Sequence, residues 1–389
     1  MEKTNMRVRI RGRLLALLAV FVAVLAGRVH AQTVQPRDLG TLGGSTSFAA
    51  AVNAAGEVVG SSTLPGDSDT HAFVWTGVGG MSDIHTLGGT FSEALAVSDS
   101  GHVVGDSTTP GNAEDHAFFW TAAGGMRDLK TLGGRGSLAL AVNAAGQVIG
   151  NSSMAGDTSH HGFFWTSTGG IRDLKTLGGS DSTAFALNAV GEVVGDSLTA
   201  TGEDHAFSWT LAGGMRDLGG NFSQALAVND SGTIVGFSDG DAVLWTRAGA
   251  MRDLGTLGGT FGAAATGINA AGRVIGNGFT AGDVEFHAFF WTAEAGMRDI
   301  GTLGGTTSVA CGISDVGQVV GFSTLPGDLE QHGFSWTLAG GIRDLGTLRG
   351  SFASTPCLFS PEVNARRQVV GFSFLPGDLI SHAVLWVVR

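Results

Sequence analysis

HAFFWT at residues 116–121 decides how this chain is read, because near-copies stand at HAFVWT (71–76), HGFFWT (161–166), HAFSWT (205–210), HAFFWT (287–292), HGFSWT (332–337) and HAVLWV (382–387). The eight tryptophans, Trp75, Trp120, Trp165, Trp209, Trp245, Trp291, Trp336 and Trp386, are separated by 45, 45, 44, 36, 46, 45 and 50 residues. Every Trp is therefore spent on one position of a repeat of about 44 residues, and self-similarity at such a period signals stacked structural units.

Each copy reads as four short strands parted by turn residues. In the second they are EALAVS (93–98), HVVGDS (102–107), HAFFWT (116–121) and MRDLKTL (126–132). The first two are joined by NAAG (53–56) or a relative: SDSG (98–101), NAAG (143–146), NAVG (188–191), NDSG (229–232), NAAG (269–272) and SDVG (314–317). Asn, Ser or Asp opens a type I turn through its side chain, and Gly takes the left-handed position that closes it. The last copy, NARR (364–367), puts Arg367 at that position. Holding it left-handed costs roughly 1–2 kcal/mol, so this turn is expected to be altered.

The third strand is apolar on both faces, as suits a strand between neighbouring sheets. The Ala- and Gly-rich first strand suits a crowded position near an axis. The chain carries a fourth-strand segment, PRDLGTL (36–42), before its first full copy, and its last copy stops at HAVLWVVR without one. These halves complete each other in a ring. The expectation is an all-β chain: an eight-bladed β-propeller of four-stranded blades, with residues 32–389 as one domain and the N-terminal strand completing the last blade. An open solenoid is the alternative, but it has no need of complementary ends.

Gly at 64 and a hydrophobic fraction of 43% exclude a disordered chain. At the N-terminus, Lys3, Arg7, Arg9, Arg11 and Arg13 lead into LLALLAVFVAVLAG, followed by Val29-His30-Ala31. This is the pattern of a signal peptide over residues 1–31, cut before Gln32, and its apolar run is short for a membrane span. No Cys near the cut offers a lipid anchor. Removing the segment leaves 16 basic and 33 acidic residues, a formal charge of −17. Such a surface repels nucleic acid and anionic lipid. Export also permits a disulfide, and Cys311 and Cys357 lie near corresponding first strands of neighbouring copies. They are either bridged or two buried thiols.

Seven histidines head the third strand: His71, His116, His161, His205, His287, His332 and His382, with Asp241 in the remaining copy. A zinc reading fails on distance: ligands sit about 2 Å from the metal, whereas stacked sheets lie about 10 Å apart. The fourth strand offers Asp38, Asp83, Asp128, Asp173, Asp217, Asp253, Asp299 and Asp344, with a recurrent Thr nearby. Buried polar groups must be bonded, so His, Asp and Thr read as a structural set. Acidic loops such as PGDSDTH (65–71) supply too few oxygens for calcium and read as solvated turns.

A chain carrying HAFxWT with MRDLGTLGG and AVNxxGxVVG between copies resembles the HAF-repeat family of probable extracellular bacterial proteins over about residues 36–389; the resemblance implies an extracellular location and brings no catalytic residues to transfer, and with the signal peptide the expected location is secreted, extracellular or periplasmic. Catalysis needs local asymmetry, and no nucleophile or metal-ligand set stands out; a sialidase-like Tyr is absent with all Tyr. The tryptophans are assigned to blade interiors. Ligand contact is assigned instead to breaks in the repeat in the loops entering the first strands: Arg135, Arg349, Phe91, Phe222, Phe261 and Phe352, with an insertion, STPCLFSPEV, at 354–363. The phenylalanines form either a ligand-facing ring or a plug in the channel mouth. The expected function is a monomeric, non-catalytic binding module without metal or cofactor, its partner an extracellular protein or glycan. The competing class is a polysaccharide-active hydrolase or lyase with its site in the same loops.

Overall fold

The computed structural model describes residues 34–355, 357 and 363–388. The signal-peptide expectation lies outside these residues, as does most of the 354–363 insertion.

Alternating burial and turn chemistry produce strands throughout, with one 3₁₀ turn at Pro110–Asn112 and no helix long and apolar enough to cross a membrane among the described residues. The strands pair with their sequence neighbours as antiparallel meanders in six four-stranded sheets and one eight-stranded sheet. The larger sheet is two four-stranded halves joined by a single parallel bridge, Gly136 to Asp115. In the second copy the strands are Ser92–Val97, Val103–Thr108, Asp115–Thr121 and Gly125–Asp128. The fourth is shorter than the sequence suggested, because the chain after Asp128 turns to begin the next copy. The chain's first strand, Arg37–Asp38, pairs antiparallel with Ser381–Val387, placing Arg37 opposite Leu385 and Asp38 opposite Val384.

Gly follows a Val or Ile pair in every second strand, and its reason is contact rather than flexibility. In seven copies the first strand bulges, as between Ala94 and Ala96. The bulge pushes a carbonyl across the second strand. A Cβ on Gly105 would lie 1.9 Å from the Glu93 oxygen, and on Gly195 1.8 Å from that of Thr183.

The core lies between sheets. Ala51, Val59, Ala72 and Ile84 of the first copy pack on Ala94, Val97, Val103 and Phe118 of the second. The same arrangement joins the last copy to the first, where Val370, Ala383 and Leu385 pack on Ala49, Val52, Val58, Phe73 and Trp75. At one end, the Asn that opens six of the first hairpins reaches to the next copy: Asn53 Nδ2 donates to Ser98 O at 3.1 Å and Asn188 Nδ2 to Asn229 O at 3.1 Å. Asn364 Nδ2 donates to Asn53 O at 2.9 Å, from the last copy to the first.

The turn at Arg367 corrects one expectation. It is not altered: Arg367 adopts φ 61°, and its N–H donates to Asn364 O at 3.0 Å, as Gly101 N–H does to Ser98 O at 2.9 Å. The Arg367 side chain is exposed, so nothing opposes the conformation except its intrinsic cost, and Asn364 Oδ1 holds the turn by accepting from Arg366 and Gln368. Cys311 and Cys357 are joined as a disulfide, with Cα atoms 4.5 Å apart, tying the 354–363 insertion to the preceding copy.

Candidate binding site

The histidines at the strand heads face the fourth-strand carboxylates of their own sheets. Nδ1 of His71 lies 2.9 Å from Asp83, that of His161 2.8 Å from Asp173 and that of His332 2.9 Å from Asp344. His116, His205 and His287 make the same contact with Asp128, Asp217 and Asp299, and His382 reaches Asp38 of the N-terminal strand at 2.9 Å. Burial raises the pKa of Asp128, Asp173 and Asp344, but hydrogen bonds outweigh it and each ends below the usual carboxylate value. For Asp128 and Asp173 the bonds come from Lys130 and Lys175 together with the histidines, and for Asp344 from His332 and the Gly346 N–H. The recurrent Thr shapes the following loop: Thr41 Oγ1 donates to Gly44 O at 2.9 Å.

Two bonding sets escaped the sequence reading. The aspartates of the PGD-type loops clamp the loops that enter the first strands. Asp67 Oδ1 accepts from Ser45 N–H at 2.7 Å, Asp157 Oδ1 from Arg135 N–H at 2.7 Å and Asp328 Oδ1 from Thr306 N–H at 2.8 Å. Buried serines at the heads of first strands tie copy to copy, as where Ala72 N–H donates to Ser92 Oγ at 2.8 Å and Ala383 N–H to Ser47 Oγ at 2.8 Å. Both were legible as recurrences, an Asp after Pro-Gly or Ala-Gly and a Ser before the Ala-rich strand.

Three of the phenylalanines assigned to ligand contact pack on rings of second strands, and Phe261 shares a recess with Phe237, the ring on which Phe222 packs. Phe261, 73% exposed, packs on Phe279 with ring centroids 5.6 Å apart. Phe222 packs on Phe237 at 5.5 Å, and Phe352 on Phe372 and Phe374 at 5.8 Å. Phe91 is half-buried in its own sheet. Arg135 and Arg349 are exposed, the latter left-handed at φ 78°.

A further feature lies at the tryptophans. An Arg from the fourth strand of one copy covers the Trp of the next: Arg37 stands over Trp75 at 4.7 Å from the ring centroid, Arg127 over Trp165 at 5.0 Å, Arg252 over Trp291 at 5.0 Å and Arg298 over Trp336 at 5.8 Å. In the chain that Arg recurs at 37, 127, 172, 216, 252, 298 and 343, and the first full copy alone has Ser, in MSD at 81–83. Ser82 leaves the ring of Trp120 without its cover. Val74, where Phe119, Phe164 and Phe290 bring rings to within 5.1 Å of the next Trp, adds little bulk. The expectation that every Trp is committed to the interior is met only in part at one position, where Trp120 packs at the edge of the core between the first two sheets. Seven are at most 4% exposed, while Trp120 is only partly buried.

The gap is a cavity of about 500 Å³ between the first and second copies, bordered by Glu57, Val74, Ser82, Asp83, His102 and Trp120. No Lys or Arg borders it, and two carboxylates do. Glu57 accepts from Asn53 Nδ2 at 2.6 Å. His102 stacks on Phe119 with centroids 5.1 Å apart and keeps a buried Nδ1 with no hydrogen-bond partner. Asp83 is held by His71 and by His85, whose Nδ1 lies 3.3 Å away. Among the described residues, His71, Asp83 and His85 are the one set of three whose ligand atoms gather closely, within 4.8 Å, and they are the residues a metal ion would use here. The arrangement offers an aromatic face, flanking negative charge and polar atoms in a recess, which suits binding; no nucleophile in it is activated by a base.

No family model matches the chain, and no curated protein matches it. Among solved structures it is similar to a prolyl endopeptidase, with a TM-score of 0.55 and 10% identity over 78% of this chain and 51% of that one. It is also similar to dipeptidyl peptidase 4 of Porphyromonas gingivalis, with a TM-score of 0.51 and 9% identity over 87% and 56% of the two chains. A third likeness is the β-propeller domain of the trilobed protease from Pyrococcus furiosus, at a TM-score of 0.49 and 10% identity over 75% and 94%. The chain spans about half the length of the first two. At such identities the likeness to the first two carries architecture and no activity, and the sheets described above make this chain an all-β protein.

Proposed function

We propose that this chain is an exported, eight-bladed propeller of HAF-repeat type that acts as a non-catalytic binding module and takes its ligand at the uncovered Trp120. Closure into a ring is supported by the pairing of Arg37–Asp38 with Ser381–Val387 and by the packing of the last copy on the first. The observation that carries the binding role is Ser82: one Arg in eight is missing, and its absence opens a recess over an aromatic face. Ligand sites are concave, largely apolar and furnished with a few polar groups, as this one is.

The hydrolase or lyase alternative has one observation in its favour. Glu93 and Asp106 face each other in register, and burial, then the charges of Glu93 and Asp115, pushes Asp106 up to about 7, a value suited to a general acid. Neither residue borders the Trp120 cavity, and Asp106 occupies a position that serves sheet-to-sheet bonding elsewhere in the repeat. We assign the pair to the scaffold.

The test is a thermal-shift screen of glycans and peptides against the wild-type protein and Ser82→Arg, which restores the residue used in the other seven copies. The binding-module reading expects a ligand that stabilises the wild type and not the variant. Equal stabilisation of both moves the site elsewhere, and turnover of a glycan refutes the non-catalytic reading.

A further inference from the structure

The repeat itself indicates what the recess accepts. In four copies the space over the tryptophan ring is filled by a guanidinium group standing 4.7–5.8 Å from the ring centroid. Trp120 stands at the same place in its copy as those tryptophans, with Ser82 at the arginine's position, so the chain supplies no arginine there. We infer that the recess takes a guanidinium group from outside, the side chain of an arginine in a ligand, stacked on Trp120 as the protein's own arginines stack on its other tryptophans. The inference rests on the proposed binding role and names its ligand class.

Three features agree. A flat, delocalised cation lies well on an indole face, which carries the negative lobe of the ring quadrupole. Glu57, bonded to Asn53, and Asp83, bonded to His71, supply negative charge at the rim of the same recess, and no Lys or Arg borders it. The overall excess of acidic residues, with a formal charge of −12 for the whole chain, favours the approach of a cationic partner. A neutral pyranose could stack on the ring but would gain nothing from the negative charge of the two carboxylates. A lysine ammonium would answer the charge but lacks the planar fork and face.

The experiment follows the indole ¹⁵N–¹H resonance of Trp120, assigned by comparison with Trp120→Phe, during titration of the full protein. The probes are arginine amide, a capped peptide holding one arginine, the same peptide with lysine, and a neutral methyl pyranoside. The expected result is a saturable shift with both arginine probes, about tenfold weaker with lysine, and abolished by Ser82→Arg, given the size of a stacked cation interaction. Glu57→Gln should weaken arginine binding while leaving the resonances of the other tryptophans in place. Tighter binding of the peptide than of arginine amide identifies a polypeptide source, and equal binding identifies a free small molecule; either supports the guanidinium assignment. A pyranoside that shifts Trp120 and is blocked by Ser82→Arg while arginine is inert overturns the guanidinium inference but leaves the binding site standing. Shifts unaffected by Ser82→Arg overturn both.

Discussion

Asp106 and Asp196 should destabilise this protein at neutral pH, and replacing them with Asn should remove that penalty. They occupy a second-strand position that is Asn in the third and sixth copies. Asn151 Oδ1 accepts from Ala184 N–H at 2.8 Å while its Nδ2 donates to Ala184 O at 3.4 Å, stitching one sheet to the next. Asn277 does the same to Ala310, at 2.7 and 3.5 Å. A carboxylate can accept from the N–H but has nothing to give the carbonyl, and Asp106 and Asp196 each keep a buried Oδ1 without a partner. Burial, then the charges of Glu93 and Asp115, raises Asp106 from 3.8 to about 7; burial, then Asp204, raises Asp196 to about 6.

The sign follows from proton counting. A carboxyl whose folded pKa lies above its unfolded value holds more protons when folded, so its contribution is intact at low pH and stability falls as pH rises through the window between the two values. At about 1.36 kcal/mol per pH unit, the loss by pH 8 is roughly 4 kcal/mol for Asp106 and roughly 3 kcal/mol for Asp196. Asp106→Asn should therefore exceed the wild type in stability by roughly 2–4 kcal/mol at pH 8 and by little at pH 4, with Asp196→Asn following at roughly 1–3 kcal/mol. Urea denaturation at pH 4, 6 and 8, read as the difference between variant and wild type, isolates the effect from every other titrating group. A difference that is flat with pH, or that grows on acidification, refutes the reasoning.

Three further outcomes follow from the backbone and the cross-link. Gly195→Ala should cost roughly 3 kcal/mol or more, because its Cβ would meet the Thr183 carbonyl at 1.8 Å and the bulge must shift; circular dichroism melts would check it. Arg367→Gly should raise the urea midpoint by an amount corresponding to about 0.5–1 kcal/mol, the left-handed cost relieved less the added freedom of the unfolded chain. Cys311→Ser with Cys357→Ser should lower stability by about 4 kcal/mol at most, from loop-closure entropy across a sequence separation of 46 residues, and dithiothreitol should reproduce the loss in the wild type.

The strands and their order were legible because one short pattern is written eight times, and a period-two sheet residue repeated at a fixed place reports its neighbours directly. His116 could be paired with Asp128 on that ground, since both recur at constant separation. The clamp of Asp157 on Arg135 N–H was harder to see. The loop looked like generic turn chemistry, and only the fold brings residues 22 positions apart into contact. Arg367 misled in the opposite direction: a rule about backbone preference suggested a changed turn, but a cost of one or two kcal/mol is small beside the packing that fixes the hairpin. The proposed recess was not legible because residues present in unusual places, such as Arg135 and Arg349, stand out in a repeat. Ser82 matters for what it is not, and an absent side chain is visible only when the residue it should have covered is known.

That absence also has a thermodynamic signature. A stacked guanidinium and indole contribute about 0.5–1 kcal/mol at a partly exposed site, so leaving Trp120 uncovered costs the fold about that much at one sheet-to-sheet contact. Cores between the other sheets do not depend on it, since each contact buries its own cluster, and a repeat array adds such terms nearly independently. Ser82→Arg should therefore make the protein more stable by about 0.5–1 kcal/mol while removing ligand binding, the inverse relation expected where a recess is kept open for function. Urea midpoints for the wild type, Ser82→Arg and Ser82→Ala measure it, with Ala separating the guanidinium from the loss of the hydroxyl. If Ser82→Arg is no more stable than Ser82→Ala, the recess does not receive a guanidinium as the other copies do, and the ligand assignment loses its footing.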